Sequence, residues 1–168
     1  RLRRLRRRGL AADRAVAGGG AWGGCGAAFG RRMEKGAEQA VVDLKAAGGV
    51  VGRKLVLDIE DDACDPKQAR SVAEKIAGAK IPFVAGHYCS SSSIPASEAY
   101  EDGNVLQITP ASPATKFTDG KLWNVARVCG RDGQQGPVAA AYIAKTFAGK
   151  NVPLPNAKTR DGKGLRAE

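Results

Sequence analysis

The stretch PFVAGHYCSSSSIPASEAYEDG, residues 82–103, decides how the rest of the chain is read. It opens on a short apolar run ending at Ala85, passes through His87 and Cys89, sets four serines in a row at Ser90–Ser93, and continues into SEAYEDG after Pro95. An apolar run of this length ending at Gly86 reads as a strand, and SEAYEDG reads as a brief helix. The serines then lie after the carboxyl end of a strand and at the amino end of a helix, where open α/β sheets receive ligands. A helix N-terminus leaves backbone N–H groups unpaired and carries about half a positive charge, so it attracts an anion. Hydroxyls from Ser90 to Ser93 add donors there without adding charge, which suits a carboxylate better than a diffuse polyanion. The competing readings are a flexible serine linker and a serine that merely caps the helix.

The neighbouring segments alternate in the same way. Upstream, GRRMEKGAEQAVVDLKAAGG places Met33, Ala37, Ala40, Val41, Leu44 and Ala47 at helical spacing and stops at Gly48 and Gly49. KLVLDIE has the two-residue period of a strand and ends in a turn at Asp61 and Asp62. In CDPKQARSVAEKIA, Asp65 caps a helix whose first position suits Pro66, and Ala69, Val72, Ala73 and Ile76 form its apolar face. Downstream, VLQIT is a strand, Pro110 to Lys121 a loop, and LWNVARV a further strand. Alternating helices and strands predict an α/β fold: an open, mostly parallel sheet with helices on both faces.

Charge is distributed unevenly. The net charge is +10, yet residues 1–32 hold nine arginines against Asp13 alone, whereas residues 33–149 hold 13 basic and 14 acidic side chains. The body is therefore close to neutral. RLRRLRRRGL has no stacking aromatics and sits in no recognisable DNA-binding motif, so no nucleic-acid partner is expected. No apolar stretch of about 7 to 15 residues follows these arginines, which argues against a signal peptide. No run of about 18 apolar residues occurs, so no bilayer span is predicted. GGGAWGGCG, residues 18–26, is glycine-rich but follows no convincing strand.

Four cysteines stand at positions 25, 64, 89 and 129, and none forms a C-x-x-C metal knuckle. Cys64 and Cys89 each follow a predicted strand, and the two strands are consecutive in the proposed sheet. A bridge between them would stabilise the fold by roughly 3 to 4 kcal/mol on the chain-entropy model and would imply an oxidising compartment. The alternative makes Cys89 a thiol nucleophile served by His87, the single histidine. Neither an orienting third group nor an oxyanion hole is evident for it. Classical histidine metal clusters are excluded on the same count, and no P-loop, dinucleotide fingerprint or G-x-S-x-G elbow is present. No catalytic residue, metal or cofactor is expected.

GAEQAVVDLKAAGGVVGRKL, EDDACDPKQA, FVAGHYCSSSSIPASEAYED, QITPAS and RDGQQGPVAAAYI together, in order and spacing over residues 29–150, resemble the leucine/isoleucine/valine-binding proteins of branched-chain amino acid ABC transporters. The resemblance implies a two-lobed, non-catalytic, periplasmic protein of the type I binding-protein fold, monomeric and delivering its amino acid to a permease. It implies a disulfide between Cys64 and Cys89, Ser90 as the holder of the ligand α-carboxylate, and the Ala111 carbonyl as acceptor for the ammonium. Tyr88 and Cys89 would line the side-chain pocket, with Phe29 at an aromatic contact position. Where the family carries a threonine that binds ligand, this chain has Pro113, with Ser112 or Thr115 as substitutes.

The implied organisation is a basic, glycine-rich segment over residues 1–28, a first lobe over 29–128, a hinge crossover over 129–137 and the incomplete start of a second lobe over 138–168. Pro153 and Pro155 sit poorly in the central strand expected there, and Asp161 stands where a tyrosine is expected. Family members are longer by most of a second lobe, so the expectation is that this chain alone binds amino acids weakly or not at all. Both ends differ from the middle, as in a truncated or frame-disrupted gene. The alternatives are an extracellular amino-acid or amide sensor on the same fold and a degenerate fragment with little ligand binding.

Overall fold

The computed structural model describes residues 13–19 and 27–153. The elements are, in order, β1 (Asp13–Gly19), α1 (Ala27–Ala46), β2 (Leu55–Asp61), α2 (Pro66–Gly78), β3 (Phe83–Ala85), α3 (Ser90–Asp102), β4 (Leu106–Thr109), α4 (Lys116–Asp119), β5 (Val125–Arg127) and α5 (Asp132–Thr146). The strands form one parallel sheet in the order β2-β1-β3-β4-β5. One register row runs Ile59, Ala17, Ala85, Ile108, Ala126 across all five. The expected open parallel α/β sheet is present.

Four local expectations are corrected. Asp13–Gly19 belongs to the segment set apart by composition, yet it is a strand in the interior of the sheet, and its last two residues, Gly18 and Gly19, open the glycine-rich run. DRAVAGG offers only Val16 as a β-branched residue, so its propensity is poor; pairing on both edges outweighs propensity. For the same reason β2 and β3 are not neighbours: β1 lies between them. The serine run is the first turn of α3 itself, which begins at Ser90 and carries Pro95 inside it. Finally, α4 interrupts the loop after β4. The last described helix, α5, starts at Asp132. Residues 154–168 and Cys25 lie outside the described residues, and with them Pro155 and Asp161.

The sheet's two faces differ. On one, α2 and α3 pack together: Val72, Ala73 and Ile76 from α2 meet Val84 of β3 and Ala96, Ala99 and Tyr100 of α3. Tyr100 and Val84 are fully buried, and each side chain of this kind contributes about 1.5 to 3 kcal/mol by leaving water. The helices approach closely at the end of α3, where a Cβ on Gly103 would stand 2.6 Å from Cβ of Ala77. The predicted start of α2 holds in detail, since Asp65 accepts from the N–H groups of Lys67 and Gln68 and Pro66 is the first helical residue.

On the other face stands α1. Of its predicted apolar face, Val41 is buried and Met33 and Ala37 are half-buried, whereas Ala40, Leu44 and Ala47 are exposed. Beneath α1 runs an open apolar groove of about 330 Å³ between Met33, Gly36 and Ala37 and the strand residues Phe83, Ala85 and Ile108. The turn out of α1 needs glycine: Gly49 has φ +84°, and a Cβ there would lie 2.1 Å from the Arg53 carbonyl oxygen. Beyond its first turn α5 is largely exposed, with Val138 and Tyr142 at 71% and 63%. Among the described residues no helix is long and apolar enough to cross a membrane.

Candidate functional site

Three loops meet at the carboxyl edge of the sheet, and the side chains that join them are mostly small and polar. After β3, Gly86 N–H still donates to the Ile108 carbonyl at 2.9 Å, and the chain then runs through His87, Tyr88 and Cys89 into α3. Cys89 is the extended residue preceding α3; its carbonyl accepts from Ser92 and Ser93 N–H at 3.0 and 2.9 Å. Its sulfur makes no cap because it is bonded to Cys64, with the Cα atoms 5.5 Å apart. That distance lies within the ordinary range for a disulfide. The bond settles the two readings of Cys89: its sulfur is structural, and the thiol-nucleophile reading falls.

The loop carrying Cys64 is shaped by the two aspartates read as a turn. Ala63 and Cys64 adopt φ of 50° and 55°, an uncommon region for non-glycine residues. Asp61 Oδ1 accepts from Ala63 N–H at 2.9 Å and Asp62 Oδ1 from Cys64 N–H at 2.7 Å, which holds the left-handed pair in place. Asp62 has no solvent exposure and has further donors around it. Ser92 Oγ donates to its Oδ1 at 3.0 Å, and His87 Nδ1 meets its Oδ2 in a short contact. His87 Nε2 is 3.0 Å from the Tyr100 hydroxyl. Burial, then the negative charge of Asp62, pushes the Tyr100 phenol well above its ordinary pKa.

The third loop follows β4. Thr109 Oγ1 donates to the His87 carbonyl at 2.6 Å and accepts from Ala111 and Ser112 N–H at 3.2 and 3.1 Å. Arg127 supports the loop from β5, donating to the Ser112 and Ala114 carbonyls at 2.9 and 3.0 Å and to Thr118 Oγ1, with its guanidinium 5.7 Å from the Phe117 ring centre. Partial burial draws the pKa of Arg127 below the usual arginine value.

The residues singled out from the sequence fall in this one region. Phe29, at the start of α1, stacks on Tyr88 with ring centres 5.6 Å apart and planes 14° from parallel. Phe29 remains 48% exposed and Arg32 lies 5.9 Å from its centre. Ser90 is buried, and its Oγ accepts from Ala114 N–H at 3.3 Å, which leaves the hydroxyl proton free to donate. Among the described residues no hydrogen-bond donor reaches the Ala111 carbonyl. The other hydroxyls have structural partners. Ser91 donates to the Cys64 carbonyl, Ser92 to Asp62, and Ser93 bonds Ser112 Oγ at 2.6 Å. Ser112 Oγ also donates toward the His87 and Tyr88 carbonyls, so its hydroxyl ties two loops together inside the protein. Pro113 contributes its carbonyl, which accepts from Asp132 N–H.

Sequence reasoning missed Thr109 and Arg127 and took Tyr100 only as part of a helix. A threonine at the end of a strand and an arginine in a short apolar one carry no pattern; only the fold brings them to this edge.

Comparison with known proteins shows the family. Residues 20–168 match the model of the periplasmic binding proteins. The Leu/Ile/Val-binding protein of Citrobacter freundii is 46% identical over 156 residues, covering 93% of this chain and 42% of that protein. The Leu/Ile/Val-binding protein homolog 1 of Brucella melitensis is 42% identical over 145 residues. This chain thus spans about two fifths of the length of these relatives. Among solved structures, an ABC transporter substrate-binding protein from Desulfitobacterium hafniense in complex with Leu aligns at TM-score 0.75 with 27% identity, covering 93% of this chain and 45% of that one. A branched-chain amino acid transporter substrate-binding protein from Streptococcus pneumoniae in complex with isoleucine shares the fold at TM-score 0.84 and 23% identity, over 94% and 45% of the two chains. A parallel sheet with its loops gathered at one edge and a matched model over most of its length place this chain in the periplasmic binding protein family.

Proposed function

We propose that this chain carries the first ligand-binding wall of an extracytoplasmic solute-binding protein that takes up a branched-chain or similar amino acid and hands it to an ABC importer, without chemistry. The observation that carries this reading is the gathering at one sheet edge of an α3 N-terminus, the Ala111 carbonyl, which no donor among the described residues reaches, and a stacked Phe29–Tyr88 pair. The Ser90 hydroxyl and the first amides of α3 receive the α-carboxylate, where the helix dipole adds to uncharged donors. The Ala111 carbonyl takes the ammonium. Tyr88, Phe29 and the Cys89 sulfur flank an aliphatic side chain. Ser112 serves from behind, as the tie between the Tyr88 loop and α3.

In this reading the lobe extends from β1 to residue 128, the chain crosses at 129–137, and α5 opens a second lobe, which accounts for its exposed apolar side chains. The protein acts as a periplasmic monomer with a permease as partner. Isothermal calorimetry on the full-length version, with its second lobe present, using leucine, isoleucine and valine against lysine and aspartate as controls, tests it. Aliphatic ligands bind, and Ser90→Ala weakens them by about tenfold, the cost of one hydrogen bond to a charge. Absence of binding by all three aliphatic amino acids overturns the reading.

A further inference from the structure

The site described above is built on a buried polar chain that none of its ligand-facing roles requires. His87, Asp62 and Tyr100 are each fully buried, and they come from three different places: the loop after β3, the loop after β2, and the last turn of α3. The His87 ring spans the gap, with Nδ1 at Asp62 Oδ2 and Nε2 at the Tyr100 hydroxyl. Its own carbonyl accepts from Thr109 Oγ1 and, more distantly, from Ser112 and Ser93 Oγ. One residue therefore joins β2, α3 and β4 at the point where the chain turns into Tyr88, Cys89 and Ser90.

The hydrogen bonds also fix the direction of the chain. Asp62 Oδ1 accepts from Cys64 N–H and Ser92 Oγ, and its Oδ2 faces His87 Nδ1, so the carboxylate is an acceptor on every side. That requires a proton on Nδ1. Tyr100 has one hydrogen-bond partner among the described residues, His87 Nε2. A fully buried phenol that accepted from Nε2–H would leave its own O–H without an acceptor among the described residues, which burial makes costly. Burial also keeps the Tyr100 proton in place. Tyr100 O–H therefore donates to a bare Nε2.

We propose that His87 is a positioning residue for the ligand site: the relay Tyr100 O–H to Nε2, Nδ1–H to Asp62, locks a single imidazole tautomer and thereby holds the Tyr88–Ser90 loop in its ligand-receiving geometry. The inference rests on the amino-acid-binding reading for its effect on affinity, but the tautomer and the loop geometry stand apart from any ligand. The relay also links ring orientation to the disulfide, since Asp62 holds Cys64 N–H while His87 lies two residues before Cys89. The charged groups facing it are Asp62 from the β2 loop and, farther away, Glu60 of β2, which adds to the field at Tyr100.

The test is made on the full chain. Long-range proton–nitrogen correlation spectra identify the His87 ring as the signal lost in His87→Asn. The expected pattern is a protonated Nδ1 and an unprotonated Nε2; protons on both nitrogens, or on Nε2 alone, overturn the proposal. Tyr100→Phe keeps the ring in the core and removes only the donor. It is expected to shift the backbone amide signals of Tyr88, Cys89 and Ser90 in this chain and to weaken leucine binding by the full-length version by about tenfold. His87→Asn retains a donor toward Asp62 and recovers part of the affinity that His87→Leu loses. Unchanged loop signals in Tyr100→Phe overturn the positioning role. A full-length version that binds no amino acid overturns the proposed function, while the ring spectrum and loop signals of this chain still decide the relay.

Discussion

The two faces of the sheet are built to different standards. The α2–α3 face is sealed: Val84, Ala96 and Tyr100 have no solvent exposure, and a glycine is needed for the helices to approach. The α1 face is open, with Phe83 and Ala85 half-buried along a groove of about 330 Å³. The loops after β2 and β3 are anchored through Asp62, His87 and Tyr100 to the sealed face. The difference teaches that rigidity here is supplied to one edge of the sheet from one side. Stability and site geometry depend on the same few buried residues, and much of the apolar surface beneath α1 contributes little to either.

Urea unfolding of the oxidised chain puts numbers on that contrast. Tyr100→Ala is expected to cost about 3 to 5 kcal/mol, through lost burial and the cavity left behind. Reducing the Cys64–Cys89 bond removes about 3 kcal/mol by freeing the loop that encloses α2 and β3. Phe83→Ala, a change of similar size on the open face, costs about 1 to 2 kcal/mol because its ring is only partly out of water. A Phe83→Ala loss equal to that of Tyr100→Ala would erase the distinction between the faces. Asp65→Ala, which unpairs two amides at the start of α2, costs about 1 kcal/mol. Arg70→Ala gives the smallest change, below about 0.5 kcal/mol, since its bridges to Glu74 and Glu98 lie in solvent.

What the sequence made legible follows the same division. Periodicity and capping identify α2 in full, down to Asp65, Pro66 and the buried face Ala69, Val72, Ala73 and Ile76, because that face packs against a partner. For α1 the same periodicity overstates the packing, since Ala40, Leu44 and Ala47 meet solvent. The strand β1 is illegible in DRAVAGG, where small residues owe their conformation to pairing with strands more than thirty residues away. The serine run was located correctly at the sheet edge, but which hydroxyl turns inward is set by Asp62 and Ser112, at distances of thirty and nineteen residues along the chain. That a single histidine excludes a histidine metal cluster is legible in the composition; the partners of His87, Asp62 and Tyr100, are not.

The position of β1 has one more consequence. Cys64 and Cys89 follow β2 and β3, and β1 runs between those strands, so the sulfur bridge arches over the end of the middle strand. Removing residues 13–19 would therefore divide the sheet into a lone β2 and a β3-β4-β5 remnant, leaving the covalent arch standing above an empty slot. A stretch whose arginine-rich surroundings invite trimming in an expression plasmid is the keystone of the sheet, and a seven-residue peptide of that sequence, supplied separately, is the natural candidate to refill the gap.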